Sequence, residues 1–235
     1  MHHSRVGRRT ALLVTALCAL LATHALADDA PPKVATAKGP PTQVIDRFHA
    51  VLLDVMKNAK TLGFEGRRDK LAPALDATYD FPGMAQRSLA TSWGKLDDAQ
   101  HERFISVFRA MTLRTYATRF DGYDNERFET LGEEPSVAGT VIVRTVLHAT
   151  DEDVHLDYRL RSMPAGFKVI DVYLSGTVSE LALRRAEYTS VFERDGFDAL
   201  VDALERKVAD APGSPPPRKP ESPNSDSRNS DSRLR

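Results

Sequence analysis

The chain of 235 residues is 41% hydrophobic and 28% charged, the balance of a globular protein able to bury a core. A formal charge of −1 excludes the basic footprint of a nucleic-acid binder, and a single cysteine, Cys18, excludes an internal disulfide framework or a cysteine metal site.

Residues 1–27 read as a cleaved secretory signal peptide. Arg5, Arg8 and Arg9 form its positive start, Ala11 to Ala22 its apolar run, and Ala25-Leu26-Ala27 its small-x-small cleavage site. The apolar run is shorter than the ~20 residues a bilayer span needs. Cleavage would remove Cys18 and, with three arginines and no acidic residue, take the formal charge from −1 to −4. An exported, periplasmic protein without a thiol is the expectation. Residues 28–41 are Pro/Ala-rich and read as a disordered linker, and residues 211–235, Pro/Ser-rich with a repeated SDSR, as a disordered tail. One folded domain over residues 42–210 is left.

Thr42 follows Pro40-Pro41 as a candidate N-cap, and Val44, Ile45, Phe48, Val51, Leu52, Val55 and Met56 recur at helical spacing as far as Gly63. Shorter helices are predicted over Leu71–Thr78 and Pro82–Trp93, and a long one opened by Asp97-Asp98 runs through Phe104, Phe108, Met111 and Tyr116. Period-two alternation then predicts four strands, Arg127–Leu131, Gly139–Ala149, Val154–Ser162 and Phe167–Leu174, in an antiparallel meander. In the third of these Val154, Leu156, Tyr158 and Leu160 face a covering layer, and His155, Asp157, Arg159 and Arg161 face water. Helical spacing returns over Val178–Arg194 and from Gly196 or Phe197 to Ala209. The order helices, sheet, helices defines an α+β domain, with helices packed on one face of a curved four-stranded antiparallel sheet.

Chemistry-bearing motifs are sparse. The chain contains no phosphate-binding glycine loop, no GxSxG and no HExxH. His49, His101, His148 and His155 are not spaced like a metal cluster and read as surface residues. Tyr79, Asp80 and Asp171 are candidate acid/base groups, yet Asp80 stands where a helix cap belongs and Asp171 where a strand carboxylate could pair with an arginine. Neither a catalytic residue nor a cofactor is assigned. The excess that remains is apolar and aromatic, either a solid core or the lining of a cavity.

The run TYDFPGMAQRSLATSWGKLDDAQHERFISVFRAMTLRTYATRF (Thr78 to Phe120), with VHLDYRLR and GFKVIDVYLSGTVSELALRRAEYTSVFERDGFDAL after it, resembles the MlaC family, the toluene-tolerance auxiliary proteins. The resemblance spans residues 42–210. It implies a monomeric periplasmic carrier, not an enzyme, in which helices and sheet enclose an apolar cavity for lipid tails. It also implies partners: a phospholipid or hopanoid as cargo, the docking component of an inner-membrane ABC transporter, and an outer-membrane lipoprotein–porin complex or other acceptor. The residues it places on the lining are Phe81, Met84, Trp93, Phe104, Phe108, Met111, Tyr116, Val141, Val143, Leu147, Tyr158, Val172, Leu174, Arg185 and Tyr188. One stretch departs from the family's pattern. In TVSELALRRAEY, Arg185 matches the family arginine, but the asparagine and tyrosine that accompany it are missing, as in the hopanoid-associated HpnM branch. Two readings of other kinds stay open beside the carrier: an enzyme with a cone-shaped pocket, and a periplasmic adaptor with a solid core. Arg184, Arg185 and Glu133-Glu134 are candidate contacts for the membrane partners.

Overall fold

The computed structural model of the protein describes residues 39–210; the predicted signal peptide, most of the predicted linker and the tail lie outside them. Helix α1 (Pro40–Lys57) begins two residues before Thr42, with Gly39 at the N-cap and the two prolines in the first turn, where a missing N–H costs nothing. Thr42 is not the cap. It lies fully buried inside the helix, and its backbone N–H (3.1 Å) and hydroxyl (2.7 Å) both donate to Glu133 Oε2.

Helix α2 (Ala59–Thr78) follows after a single residue, Asn58, and contains the predicted break at Gly63. There φ is 60° and ψ −174°, a conformation open to glycine and strained for residues with a Cβ. The polar segment after Gly63, left unassigned by its pattern, is helical because it buries an arginine. Arg67 donates from Nε to the carbonyl of Ala117 (2.9 Å) and from Nη1 to that of Ala59 (3.1 Å).

Helix α3 (Phe81–Leu89) is capped by Asp80, whose carboxylate accepts from Gly83 N at 3.1 Å, and continues as a 3₁₀ turn over Ala90–Lys95. Helix α4 (Asp98–Arg119) opens with a complete capping box: Gln100 N donates to Asp97 Oδ1 (2.8 Å) and Asp97 N to Gln100 Oε1 (3.0 Å). Asp97→Ala should therefore cost about 1 kcal/mol of stability. A urea midpoint unchanged from wild type would show that the cap contributes nothing.

The sheet is a meander of strands β1 (Arg127–Ser136), β2 (Thr140–His148), β3 (Asp153–Met163), β4 (Gly166–Leu174) and β5 (Val178–Ser179), each paired antiparallel with the next. The predicted four strands become five. The added strand is two residues long, too short to leave a period-two pattern, and pairs with Tyr173 and Leu174 of β4. Two register shifts bend the sheet. Leu131 is the extra residue on β1 opposite Thr145 and Arg144, and Ile170 is the extra residue on β4 opposite Arg159 and Leu160. The bulge at Ile170 puts both Val169 and Val172 on the face that meets the helices.

The other face of β3 is less wet than its alternation predicts. Asp157 is 3% exposed, accepts from Thr145 N at 3.2 Å and from Arg144 Nη1 at 2.5 Å, and Arg144 also pairs with Glu134. A charge buried on that face is held because it is paired and hydrogen-bonded.

Helix α5 (Glu180–Ala209) is broken at Gly196, where φ is 86°, as the predicted pair of helices requires. Its C-terminal half packs Leu200, Val201 and Leu204 into the core. On the surface Arg103 of α4 reaches Asp198, Asp202 and Glu205 of α5. Among the described residues, no helix is long and apolar enough to cross a membrane.

Candidate functional site

Helices and sheet meet in one continuous apolar layer. Into it α1 sends Ile45, Phe48, Leu52 and Val55; α3 sends Met84, Ala85 and Leu89; α4 sends Phe104, Phe108 and Leu113; and the sheet sends Val143, Tyr158, Leu160, Val169 and Val172. Most of the predicted lining residues come together here. Phe81, Met84, Phe104, Phe108, Val143, Tyr158, Val172 and Tyr188 are buried members of this layer, and Trp93, Met111 and Tyr116 pack against it half-buried. Val141, Leu147 and Leu174 are only partly buried, toward the ends of their strands. Arg185 is exposed; its neighbour Arg184 is the one that turns inward, with its guanidinium 5.4 Å from the centre of the Phe108 ring and Nη1 3.4 Å from Thr112 Oγ1.

A polar thread runs through this apolar layer. Phe48 sits among Tyr79, Tyr116 and Tyr158, with ring centroids 5.7, 5.5 and 6.4 Å away, all edge-on. The hydroxyls of Tyr79 and Tyr116 bond to each other, and the Tyr158 hydroxyl shares a 3.1 Å hydrogen bond with His49 Nε2. His49 is buried, stacked on Phe128 at 4.0 Å, which corrects its reading as a surface residue. Its phase held the signal: positions 45, 48, 49 and 52 share one helical face.

Burial sets the protonation of these groups. Loss of solvation lowers the His49 pKa from 6.5 to about 3, against the opposing charge of Asp46. It also pushes Tyr116 up to about 12 and raises Tyr79 and Tyr158 well above the ordinary phenol value. These four side chains are uncharged at neutral pH. Because the unfolded chain takes up the His49 proton first, this residue's contribution is complete above pH 6.5 and is lost as pH falls toward 3. The expected loss is about 2 kcal/mol between pH 7 and pH 5. His49→Gln should flatten that part of the stability–pH curve. Superimposable slopes for variant and wild type, from urea titrations at the two pH values, would refute the assignment.

The candidate catalytic carboxylates are taken up by structure. Asp80 caps α3, and Asp171 accepts from Val172 N (2.8 Å), Leu181 N (3.2 Å) and Ser179 Oγ (2.7 Å), fixing the β4–β5–α5 junction in place of the arginine pairing its position predicts. Glu133 accepts from Thr42, and Glu134 pairs with Arg144. His148 bridges Asp153 (2.7 Å) and Glu129 (2.9 Å). Among the described residues no group of three or more metal-binding side chains converges.

Two clefts open at the margins of the layer. One, of about 290 Å³, lies between α2, α4 and the end of α5, against Phe64, Ala72, Leu113 and Val208. The other, of about 350 Å³, lies between α3, β4 and the start of α5, against Arg87, Asp171, Leu181 and Arg185. Arg185 is the only predicted lining residue that borders either of them. Both are at the low end of the ~300–1,000 Å³ typical of pockets for a drug-sized ligand, and a two-chain lipid is larger than that.

A five-stranded antiparallel meander with one face covered by helices, and an aromatic layer between, defines an α+β domain built around a single apolar core. Residues 46–206 match the family model "MlaC protein", and the chain belongs to that family. No curated protein matches the chain. Among solved structures the chain is similar to the phospholipid-binding protein from Ralstonia solanacearum, determined in complex with a phospholipid. The two are 21% identical with a TM-score of 0.63, over 73% of this chain and 98% of that one. The shared fold covers nearly all of that protein.

Proposed function

We propose that this protein is a lipid carrier that holds acyl chains between its helices and its sheet. The observation that carries the reading is the apolar layer: side chains from five helices and three strands meet across one interface in a fold shared with a phospholipid-bound protein. Exposing a sixteen-carbon chain to water costs on the order of 10 kcal/mol, at about 0.8 kcal/mol per methylene. A layer that parts to admit a tail meets that cost by burial alone, so a carrier needs no catalytic motif. Asp80 and Asp171, bound to amides and to Ser179, favour this over an enzyme.

The fuller reading is that the chain is exported, loses residues 1–27 and moves lipid across the periplasm, exchanging it with an inner-membrane ABC transporter and an outer-membrane acceptor. Phospholipid is the cargo the fold relative favours. A hopanoid is the alternative, on the strength of the altered stretch Thr177–Tyr188.

On this reading the packed layer moves apart to load a tail. Tyr79, Tyr116, Tyr158 and His49 are the groups whose contacts would be exchanged. Native mass spectrometry of the protein from a periplasmic extract tests the reading. A stoichiometric adduct is expected, its extracted mass separating two-chain phospholipid from hopanoid. Apo protein after gentle purification, unable to take up lipid from vesicles, would overturn it.

A further inference from the structure

The cleft between α3, β4 and α5 has a chemistry of its own. Arg87 and Arg185 both border it; burial first, and then the charge of Arg161 on β3, disfavour the charged form of Arg87, while Asp80 and Asp171 act in the opposite sense. Among the described residues, none of these three guanidinium groups makes a hydrogen bond within 3.5 Å, whereas Arg67, Arg103, Arg109 and Arg144 all do. Arg87 is the clearest case. Its side chain is 34% exposed, its Nη1 is buried without a partner, and its nearest carboxylate, Asp80, stands off at 3.9 Å. Asp80 and Asp171, the latter lining the cleft, offset part of this positive charge, but the Asp171 oxygens are taken up by Val172 N, Leu181 N and Ser179 Oγ and accept no hydrogen bond from either bordering arginine. Two arginines bordering a cleft of about 350 Å³, one of them with a buried donor that no protein oxygen accepts, suit an anion with several oxygens.

We propose that this cleft binds a phosphate group, with Arg87 and Arg185 donating to its oxygens. The cleft's floor explains why a lipid headgroup is a fitting source of that phosphate. Leu181 lines it and is also a buried member of the apolar layer, so an anion here sits one side chain from the proposed tail compartment. Two exposed apolar residues, Val178 and Leu183, flank the same start of α5 and would meet the first methylenes of a lipid on its way in. This rests on the carrier reading only for the source of the phosphate. Free phosphate would satisfy the same arginines.

The full chain, stripped of lipid, is offered an equimolar mixture of dioleoylphosphatidic acid and dioleoylglycerol, which share tails and backbone and differ in the phosphate alone. Native mass spectrometry should show wild type selecting the phosphatidic acid by at least about tenfold, the weight of one charge-assisted hydrogen bond or more. That preference should shrink in Arg185→Gln and in Arg87→Gln, and collapse toward parity in the double variant. Arg185 is exposed, so its variant keeps the test valid if Arg87→Gln misfolds. Isothermal titration with inorganic phosphate forms the second arm. Binding lost in Arg185→Gln, with lipid preference unchanged, assigns the cleft to free phosphate. If wild type takes up neither lipid, the carrier reading fails, and the phosphate arm alone decides the site. Equal preference in wild type and variants, together with no heat from phosphate, would overturn the proposal.

Discussion

Val172→Trp should purify folded and carry no lipid. Val172 is 9% exposed, faces the helices and lies opposite Tyr158 on β3, in the middle of the proposed tail compartment. An indole there takes up space that an acyl chain needs when the layers part. Overpacking of this kind costs about 1–3 kcal/mol, inside the ~5–15 kcal/mol that folds a typical domain. Val143→Trp, fully buried on β2 opposite the same tyrosine, repeats the test from the neighbouring strand. If both proteins retain stoichiometric lipid by native mass spectrometry, the tails lie elsewhere.

Phe48→Ala should be the most destabilising single truncation, at about 3–5 kcal/mol. The ring is 1% exposed and wedged among Tyr79, Tyr116 and Tyr158, so its loss removes packing and three edge-on aromatic contacts together. The vacated space adjoins the proposed lipid compartment. A bound tail should therefore fill part of it, and the loss measured by urea denaturation should be smaller in lipid-loaded than in delipidated protein. A truncation that costs under about 1 kcal/mol would show that Phe48 is not part of a tight core. An equal cost in both states would place the lipid away from Phe48.

Much of this architecture was legible in the residues. The stripe from Val44 to Met56, the Asp97 start and the alternation from Val154 to Leu160 each encode an element through its period, and the period survives in the structure. What escaped did so for physical reasons. The segment after Gly63 is helical although its surface is charged, because one arginine of the run, Arg67, is buried against carbonyl oxygens that no hydropathy pattern reveals. β5 has only two residues and exists because Asp171 gathers Ser179 and the first amides of α5.

The candidate site divides in the same way. The burial of Phe104, Phe108 and Val143 follows from periodicity, while their place on a lipid compartment is what the family resemblance implies. The polar ones depend on exact phase. His49 lies on the buried face of α1, where a histidine adds nothing to the hydropathy pattern. Arg184 and Arg185 straddle the boundary between Leu181 and Tyr188, and only three-dimensional packing against Phe108 decides that Arg184 is the one to turn in.

The edges of the meander carry a last implication, for self-association. The outer side of β4 is occupied at one end by β5 and at the other by Tyr79, which bridges Val169 while Asp80 N donates to the Val169 carbonyl at 2.9 Å. The opposite edge, β1, is long, but it is bent by the bulge at Leu131, carries Pro135, and is studded with Arg127, Glu129, Glu133 and Glu134. Neither edge offers a flat, uncharged ladder to another copy's strand. On the proposed carrier reading such guarding matters most, since molecules opened to exchange cargo would otherwise meet strand to strand and aggregate.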